Sequence, residues 1–414
     1  MRSRFALALA LLAAACSSSN SGPDPAAAVP PPGDPAAVDA SAEPLSLAPG
    51  ARILTVRPGE SIQAAVDRAA PGDAVVVMPG TYREAGRPCP TKPSATCAVV
   101  VRTAGLALVG WPRLGQPVVL ENAGGQDQGI AVAPAGADGA TCMGDPAGRL
   151  QGSRVQGFTV RGFDGEGIFL FCVEGFALLG NATHDNGEYG LFPSHTVGGR
   201  VVGNVATGSN DTGIYVGQSR DVLIEANLAR GNVSGFEIEN SSGVRLQGNV
   251  ATGNTAGILS FTLPFLDVGF NADNLVRANV VTGNNKANTC LDPADIVCRV
   301  PSGTGILLLA ADRNRVEENF VTLNNTAGVA VFDFCTAVGL DTATCALLDI
   351  DPLPDGNRVV ANVVLGNGRA PDTGRLPPGV PGGDLLWSGA GAGNCWERNL
   401  ARTVVSPVPL PACP

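Results

Sequence analysis

The chain has 414 residues, including 54 glycines and 32 prolines, and its formal net charge is −10 with only 15% charged residues. Helix-rich proteins carry more charge and less glycine, so this composition argues against a helical fold. Nucleic-acid binding needs a basic stripe, and the negative balance therefore predicts no nucleic-acid partner.

The first element in the chain is a targeting segment. Arg2 and Arg4 precede an apolar run, residues 5–15, that is too short to span a bilayer, and small residues then lead to Cys16. This order resembles a bacterial lipoprotein signal, which implies cleavage before Cys16 and a lipid on its sulfur. Ala13 departs from that pattern, which prefers Leu, so an ordinary secretory signal stays open as the alternative.

The residues after Cys16 bear on location and on domain boundaries. Ser17 is not the Asp that marks inner-membrane retention in such lipoproteins, so the resemblance implies an outer-membrane anchor. Residues 17 to about 48 are mostly Ser, Pro, Ala and Gly, which cannot bury a core. We predict a signal peptide at 1–15, a lipidated Cys16 with a flexible linker at 16–48, and one folded domain at 49–414. We expect a monomer that touches the membrane through its lipid only.

The cysteine count fits an exported protein. Removing Cys16 from the 11 cysteines leaves ten, an even number, and most of them fall in close pairs. No C-x-x-C spacing occurs and the chain has only two histidines, which argues against a zinc site. The predicted disulfides are Cys89–Cys97, Cys142–Cys172, Cys290–Cys298, Cys335–Cys345 and Cys395–Cys413.

The folded part opens with the best helix candidate in the sequence, the segment SIQAAVDRAA. Ser61 is a suitable N-cap for it, and one face is apolar, with Ile62, Ala65, Val66 and Ala69. An elongated repeat fold needs its open end covered to protect the unpaired strand edge. We predict that this helix is the cap.

A repeat of nearly constant length follows. An Asn recurs at steps of 22 to 23 residues and then at longer steps, and Phe158 holds the same place one turn earlier. The repeating positions are Asn181, Asn204, Asn227, Asn249, Asn279, Asn319, Asn362 and Asn399. A Gly before an apolar residue recurs with them, and the residues after that Gly alternate as in a strand with one buried face.

The repeat predicts an all-β fold, a right-handed parallel β-helix with coils of about 22 to 23 residues. No long window in this region has helical periodicity, and Gly and Asn mark the corners. Stacked Asn side chains at a corner form a hydrogen-bonded ladder and tolerate the left-handed backbone that a sharp bend needs.

Several strand segments carry a resemblance to a known family. They read EYGLFPS, TGIYVGQS, GFEIENS, TAGILSFTLP, GTGILLLA and DLLWSGAGAGNCWERN. Together they resemble bacterial parallel β-helix repeat proteins of uncharacterised activity, over roughly residues 53–413, and the entry segment also resembles that of polysaccharide lyases and epimerases. The resemblance implies the fold and export, and it brings no established catalytic residues.

Two outward rows of strand positions define the candidate site. The first row is Phe169, Phe192, Tyr215, Glu237, Leu259, Leu307 and Ala330, and the second is Phe171, Ser194, Gly217, Glu239, Phe261, Leu309 and Phe332. Glu237 and Glu239 thus lie side by side in an aromatic and aliphatic strip. Four long insertions leave the C-terminal half, and we expect those after Gly257 and Gly328 to wall a groove along this strip.

Sugars stack on aromatic faces, and carboxylates bind hydroxyls or act as acid and base. We therefore interpret the strip as a polysaccharide groove. Its candidate catalytic residues are Glu237 and Glu239, and its candidate substrate contacts are Tyr215, Phe192, Asp333 and Gln218. The alternative is that the insertions simply pack on the strip while the two glutamates bond loop backbone.

Two further sets of residues are candidates. His184 and Asp185, near Tyr189, form a second candidate catalytic pair, although a His-Asp pair in a turn also serves as a plain local hydrogen bond. Asp349, Asp351 and Asp355 in LDIDPLPD are candidate Ca²⁺ ligands. The rows contain no Lys or Arg, so an acidic polymer would need bridging Ca²⁺, whereas a neutral glycan would not. No other cofactor is predicted.

The sequence therefore predicts an exported lipoprotein, facing the periplasm or the cell surface, that binds a polysaccharide. Two interpretations of its activity stay open. One is an enzyme, a lyase, hydrolase or epimerase, and the other is a non-catalytic surface module that binds glycan or a partner protein. A periplasmic maturation factor is a third interpretation.

Overall fold

The protein, described here from a computed structural model over residues 44–111 and 116–414, is a right-handed parallel β-helix. Three sheets run along it, and the chain visits each of them once per coil. The predicted all-β fold is thus confirmed. The signal peptide, Cys16 and the linker up to residue 43 lie outside the described residues. Within the described ranges, no helix has the length and apolar character to cross a membrane.

Sheet A has 13 strands and sheet B has 11. The strands of sheet A are Ile53–Val56, Ala74–Val77, Ala107–Gly110, Leu150–Gln151, Arg154–Gln156, Val173–Leu179, Val197–Val202, Arg220–Glu225, Arg245–Gln247, Leu275–Arg277, Arg315–Glu317, Arg358–Val360 and Cys395–Glu397. Those of sheet B are Gly80–Tyr82, Val118–Glu121, Phe158–Arg161, Ala182–His184, Val205–Thr207, Leu228–Arg230, Val250–Thr252, Val280–Thr282, Phe320–Thr322, Val363–Leu365 and Leu400–Ala401.

Sheet C, which carries the two candidate glutamates, has 12 strands. They are Arg87–Pro88, Thr96–Val101, Gln128–Val132, Glu166–Phe171, Tyr189–Ser194, Thr212–Gly217, Ser234–Glu239, Ala256–Phe261, Thr304–Leu309, Ala327–Phe332, Gly383–Trp387 and Val404–Val405. All pairings in it are parallel except the first, between Arg87–Pro88 and Thr96–Val101.

Among residues 44–111 and 116–414, the helices are short and lie outside the sheets. The α-helices are Ile62–Val66, Gly139–Gly144, Phe334–Val338 and Thr342–Cys345, and the 3₁₀ turns are Pro146–Gly148 and Ile296–Arg299. The first is the predicted cap: Ser61 accepts a hydrogen bond from the Ala64 N–H, and Ile62 and Val66 are buried against the first coils. It is shorter than its apolar pattern suggests, and Ala69 packs on the core from beyond its end.

The core fills the inside of the coil. Inward residues of sheet C, such as Ile214, Phe236 and Ile258, stack in register from coil to coil and are fully buried. Each side chain of this size contributes about 1.5–3 kcal/mol when it is removed from water. The alternation of period two in the sequence is therefore the alternation between this core and the outer face.

The predicted Asn ladder follows the corner between sheets A and B. Each Asn side chain donates to the next one at 2.9–3.1 Å, from Asn181 to Asn399. One part of the prediction is wrong, because the left-handed backbone belongs to the residue before each Asn, such as Ala226 with φ 55°. The Asn is instead buried, where its amide bonds the backbone of the preceding coil; the Asn227 side chain accepts from the Asn204 N–H and donates to the Val201 carbonyl.

A second Asn ladder, which the sequence analysis missed, lies five residues after the first, between sheets B and C. Each side chain donates to the next along Asn232, Asn254, Asn284, Asn324 and Asn367, and Asn367 donates to the carboxylate of Asp384. Two corners of the coil are therefore fixed by buried amides.

All five predicted disulfides are confirmed, and they involve every described cysteine. Cys142–Cys172 ties the segment around the helix Gly139–Gly144 to sheet C. Cys290–Cys298 and Cys335–Cys345 lie within two of the long insertions. The disulfides therefore fasten segments that leave the coil and none of the uniform coils between residues 173 and 257.

Candidate functional site

The two outward rows of sheet C have the predicted register. Tyr215 pairs with Glu237, which pairs with Leu259, and Glu239 pairs with Phe261. Alternate residues of a strand share one face, so Glu237 and Glu239 lie on the outside of the same strand. Both glutamate side chains therefore point away from the core of the β-helix.

The outer face of sheet C is covered at both of its ends, so the open part of the strip is shorter than the two rows. At the N-terminal end, Phe169 and Phe171 are buried in a cluster with Cys142 and Ala133. At the C-terminal end, the insertions bury a second apolar cluster. It comprises Leu259, Phe261, Leu263, Leu309, Ala330, Phe332, Phe334 and Leu386, among others. The alternative interpretation, in which insertions pack on the strip, therefore holds for these two ends.

A cleft of about 520 Å³ lies between the covered ends. Glu237 and Glu239 line its floor, together with Tyr189 and Asp211 from the preceding coils and with the apolar edge of the C-terminal cluster, namely Leu259, Phe261, Leu307 and Leu309. The far wall comes from two insertions, with Leu263 and Leu266 from one, and Leu291, Asp292, Ala294, Asp295, Ile296, Val297 and Val300 from the other. The predicted wall after Gly257 is present, but the insertion after Gly328 does not reach this cleft; its helix Phe334–Val338 packs in the C-terminal cluster instead.

Burial sets the protonation of the two floor glutamates. Glu237 is only 4% exposed, and burial together with the neighbouring Glu239 raises its pKa to about 7. Burial and the nearby Asp211 likewise raise the pKa of Glu239 to about 7, against the hydrogen bond that Tyr215 donates to it at 2.9 Å. Two carboxyl groups with pKa values near neutrality can each hold or release a proton at physiological pH.

Asp211 and Tyr189 belong to the same cluster, and the sequence analysis did not assign them to the site. Burial and the charge of Glu237 raise the pKa of Asp211 well above its usual range. Burial also raises the pKa of Tyr189, which keeps its phenol protonated. Their positions in the repeat were the available sequence signal. Tyr189 lies directly before the repeating Gly190 and Asp211 lies two residues before Gly213, where the strands of sheet C begin.

Glu166 extends the acidic cluster by one more coil toward the N-terminus, because it pairs in register with Tyr189. Burial, with Glu188 and Asp127 nearby, raises its pKa to about 8, and its Oε2 is buried without a hydrogen-bond partner. A carboxyl in this environment is protonated at neutral pH.

The aromatic side chains beside the cleft form one stack. Phe192 lies between Tyr189 and Tyr215, with ring centroids 4.2 and 4.3 Å away, and it continues to Phe169 at 5.6 Å. Tyr215 itself is only 3% exposed, and its hydroxyl donates a hydrogen bond to Glu239. Tyr189 is the member of this stack that lines the cleft.

The candidate pair His184 and Asp185 is not at the cleft. His184 ends a strand of sheet B, and its Nδ1 lies 2.7 Å from the Thr207 hydroxyl of the next coil. Asp185 is exposed with φ 51°, and burial lowers the pKa of His184. Because outward positions of sheets B and C face different directions, the structure does not bring this pair together with Glu237 and Glu239.

Two predicted substrate contacts have structural partners instead. Asp333 is buried and caps the helix Phe334–Val338 through the Thr336 N–H at 2.8 Å. Gln218 is 2% exposed, and its side chain accepts a hydrogen bond from the Asp267 N–H at 2.9 Å. Neither lines the cleft, and each is the first residue after its sheet C strand ends.

His195 is the centre of a buried polar group next to the N-terminal cover. Its Nδ1 lies 2.9 Å from the Ser194 hydroxyl and its Nε2 3.1 Å from Asp267, and the ring is fully buried. Burial lowers its pKa, although Asp267 opposes the shift. The group ties the insertion after Gly257 to the strand Tyr189–Ser194.

The three candidate Ca²⁺ ligands are not brought together. Asp349 accepts from the Phe265 N–H, Asp351 from the Leu353 N–H and Asp355 from the Ala392 N–H. Across residues 44–111 and 116–414, no group of three or more His, Cys, Asp or Glu has a geometry that could hold a metal ion. These aspartates bond loop backbone, as short acidic side chains often do in turns.

Comparison with known proteins gives a family model and a set of structures. A model described as periplasmic copper-binding protein (NosD) matches residues 150–337. A search of curated protein sequences finds no match.

Solved structures with this fold include enzymes that act on alginate. The A-module of mannuronan C-5 epimerase AlgE4 from Azotobacter vinelandii has a TM-score of 0.56 at 16% identity, covering 85% of this chain and 94% of its own. The alginate lyase from Paenibacillus sp. strain FPU-7 scores 0.51 at 15% identity, covering 82% and 99%. The periplasmic alginate epimerase AlgG scores 0.51 at 17% identity, covering 81% and 69%. Identities this low establish a shared fold.

The described residues do not fit a copper site. Copper in proteins takes thiolate, thioether or imidazole ligands by preference. Every described cysteine is in a disulfide, His195 is enclosed with Ser194 and Asp267, His184 is paired with Thr207, and neither described methionine, Met78 or Met143, lines the cleft. We therefore derive no role for copper in the cleft.

Proposed function

We propose that this β-helix protein binds a polysaccharide in the cleft on the outer face of sheet C. The observation that carries the proposal is the cleft floor, where Glu237 and Glu239 lie side by side on one strand with Tyr189 beside them. Carboxylates accept hydrogen bonds from sugar hydroxyls, and an aromatic ring offers a face on which a pyranose packs. The polysaccharide-acting enzymes that share the fold support the ligand class.

Retention of the full chain on immobilised glycans tests this proposal. The wild type should be retained on at least one polysaccharide, and Glu237→Gln and Glu239→Gln should each weaken that retention. The matched control is Glu225→Gln, because Glu225 lies on sheet A of the same coil as Tyr215 and faces away from the cleft. Equal loss in the control, or no retention on any glycan, would reject the proposal.

A second candidate function is proton transfer on the bound glycan, as in a lyase, an epimerase or a hydrolase. It is favoured by the hydrogen bond from Tyr215 to Glu239 and by the pKa of about 7 that burial gives each floor glutamate. General acids and bases work best when their pKa lies near the working pH. Product analysis of the retained glycan separates the two functions, since a binding module leaves the polymer unchanged.

We further propose that the protein is exported and anchored by a lipid on Cys16, with residues 1–15 as signal, 16–48 as tether and 49–414 as the β-helix domain. Five disulfides require an oxidising compartment, and the similarity to periplasmic proteins supports export. Cys16→Ser should move the protein from the outer-membrane fraction to the soluble periplasm. Wild-type protein that is already soluble would reject the anchor.

A further inference from the structure

The outer face of sheet A, which points away from the cleft, has two rows of outward residues in register from coil to coil. One row is Ala74, Ala107, Arg154, Ala177, Arg200, Leu223 and Arg245. The other is Val76, Val109, Gln156, Leu179, Val202 and Glu225. The N-terminal half of this face is therefore a strip of small and apolar side chains with arginines at intervals.

The first described residues of the chain cover the N-terminal end of this strip. Leu45 and Leu47 are partly buried against its first two coils. Arg154, in the next coil, donates a hydrogen bond to the Pro44 carbonyl at 3.5 Å. The chain thus enters the fold along the outer face of sheet A, and the same path continued upstream of Pro44 leads toward Arg200.

Leu179 gives an independent sign that the strip is covered beyond Pro44. Although it is an outward residue, its side chain is fully buried, and Gln156 beside it is only 1% exposed. The next residue of this row, Val202, is partly exposed. The apolar clusters formed by residues 44–111 and 116–414 do not include Leu179 and do not account for its burial.

The segment just before Pro44 has a composition that suits this strip. It carries Asp34, Asp39 and Glu43 among alanines, prolines and one valine, and residues 17–51 contain no Lys or Arg. Its acidic side chains complement the arginines of the strip, while its small apolar residues suit the alanines and leucines between them. Charge and apolar surface therefore select the same occupant.

The dimensions of the segment also match the strip. An extended chain advances about 3.3 Å per residue, and each coil adds about 4.8 Å. Glu43 directly precedes Pro44 and is thus within reach of Arg154. Asp39 lies up to about 16 Å upstream of Pro44, whereas Arg200 is two coils, or about 10 Å, beyond Arg154. An extended or slightly compact path therefore brings Asp39 to Arg200.

We infer that residues 34–43 bind the outer face of sheet A of their own chain, where Glu43 and Asp39 pair with Arg154 and Arg200 and the apolar residues between them cover Leu179. This contact goes beyond glycan binding, because it fixes where the proposed lipid tether leaves the solenoid. Only residues 17–33 then remain to connect the fold to Cys16. The contact also places the tether on sheet A, away from the cleft on sheet C.

The distance between two spin labels tests this contact in the full mature chain. Cys16→Ser leaves the introduced cysteines as the free thiols, because the ten others form disulfides. One label is attached at Ala36→Cys and the second at Thr282→Cys, a partly exposed position on sheet B. We expect one narrow distance distribution, since both labelled segments belong to one rigid surface.

Replacing the two arginines should release the segment. Arg154→Gln with Arg200→Gln should broaden the distribution toward the spread of about 15 Å that a free chain of eight residues has. The matched control is Arg161→Gln with Arg230→Gln, because these exposed arginines share an outward row of sheet B. The control should keep the narrow distribution.

Charge exchange separates specific pairing from a general effect of losing arginines. Asp39→Arg with Glu43→Arg should broaden the distribution, and adding Arg154→Glu with Arg200→Glu should make it narrow again. A broad distribution in the chain with unsubstituted arginines overturns the inference, as does a narrow one that survives their replacement. A dipolar signal between singly labelled molecules would show that a second copy covers the strip and would also overturn it.

Discussion

The uniform coils from Phe158 to Gly257 and the expanded coils that follow them use the same scaffold for different purposes. In the uniform coils, the ladder Asn residues are 22 or 23 residues apart, and in the expanded coils the steps reach 43. The ladder continues through both regions with bonds of the same length. The uniform coils present the glutamates of the cleft, while the expanded coils supply its wall.

The difference also separates two kinds of stabilisation. Between residues 173 and 257 no disulfide occurs, because each coil is fixed by strand pairing and by two buried amide ladders. Two of the insertions beyond residue 257 hold a disulfide of their own, where such ladder bonding is not available to the loop. The uniform coils are thus stabilised by interactions between stacked coils, whereas the expanded region is stabilised in part by disulfides within its own insertions.

The largest expected effect comes from removing a ladder amide. Asn227→Ala removes the acceptor of the Asn204 N–H and the donors to Val201 and Asn249, all of them buried. Leaving these groups unsatisfied should cost about 3–5 kcal/mol in the free energy of unfolding, measured by urea denaturation. The exposed control in the same coil, Arg230→Ala, should change it by less than about 0.5 kcal/mol.

The same substitution in an expanded coil sharpens the comparison. Asn319 makes equivalent bonds to Val276 and Asn362. Asn319→Ala should therefore cost about as much as Asn227→Ala, in the range of 3–5 kcal/mol. A cost below half that of Asn227→Ala would show that the expanded region does not depend on the ladder.

Removing an insertion disulfide should act locally. Replacement of Cys335 and Cys345 by Ser frees a loop of 10 residues, and on the chain-entropy model this costs about 2–3 kcal/mol. Limited proteolysis should then cut within residues 333–356 and leave residues 173–257 intact. Simultaneous cleavage in both regions would contradict the separation of local and stacking stability.

The pH dependence of the cleft should appear in the free energy of unfolding. The pKa of Glu237 is about 7 in the folded protein and 4.5 for an ordinary Glu, so the unfolded state releases this proton first. Stability contributed by the site is therefore fully present below about pH 4.5 and falls as the pH rises to about 7. Glu237→Gln removes this loss, and we expect it to gain about 3 kcal/mol at about pH 8 and nothing at about pH 4.

Urea denaturation across this pH range makes the measurement, with Glu225→Gln as the control whose difference from wild type should not vary in the same way. A Glu237→Gln variant that is less stable than wild type at about pH 8 would show that the carboxylate is stabilised in the fold and would remove the argument from burial.

The smallest effect concerns a single hydrogen bond. Tyr215→Phe removes the donor to Glu239, so the pKa of Glu239 should rise further, by an amount equivalent to about 1 kcal/mol. Carboxyl-carbon NMR of labelled glutamates, assigned with Glu239→Gln, follows this titration. Tyr82→Phe is the matched control, because Tyr82, on sheet B, donates to the Met78 carbonyl away from the cleft. An unchanged or lower pKa in Tyr215→Phe would contradict the role of this bond.

The features that repeat along the chain could be predicted from the sequence, and those assembled from separate insertions could not. The period of Asn227 and its equivalents was enough for the fold, the outward rows and the neighbours Tyr215 and Glu237. Close spacing along the chain was enough for most of the disulfides. Both depend on local sequence or on a constant register.

The extent of the open cleft depends on which insertion folds onto which coil. The spacing of the sequence repeat carries no information about that packing. Asp333 and Gln218 looked like extensions of the strand row, but each follows the strand end and bonds a neighbouring loop. His184 appeared to be near the site because sequence distance does not distinguish sheet B from sheet C. Asp211 was missed because its importance comes from burial beside Glu237.

The parallel stacking of coils has a consequence for how the cleft can change during evolution. The N-terminal cover and the insertion wall are held apart by the coils whose outer face is left bare, and each coil adds about 4.8 Å along the solenoid axis. Duplicating or deleting one coil between them would lengthen or shorten the opening by that single step and leave both borders intact. The length of the cleft can therefore change only in steps of one coil. Selection can choose among discrete ligand lengths without changing the residues of either border.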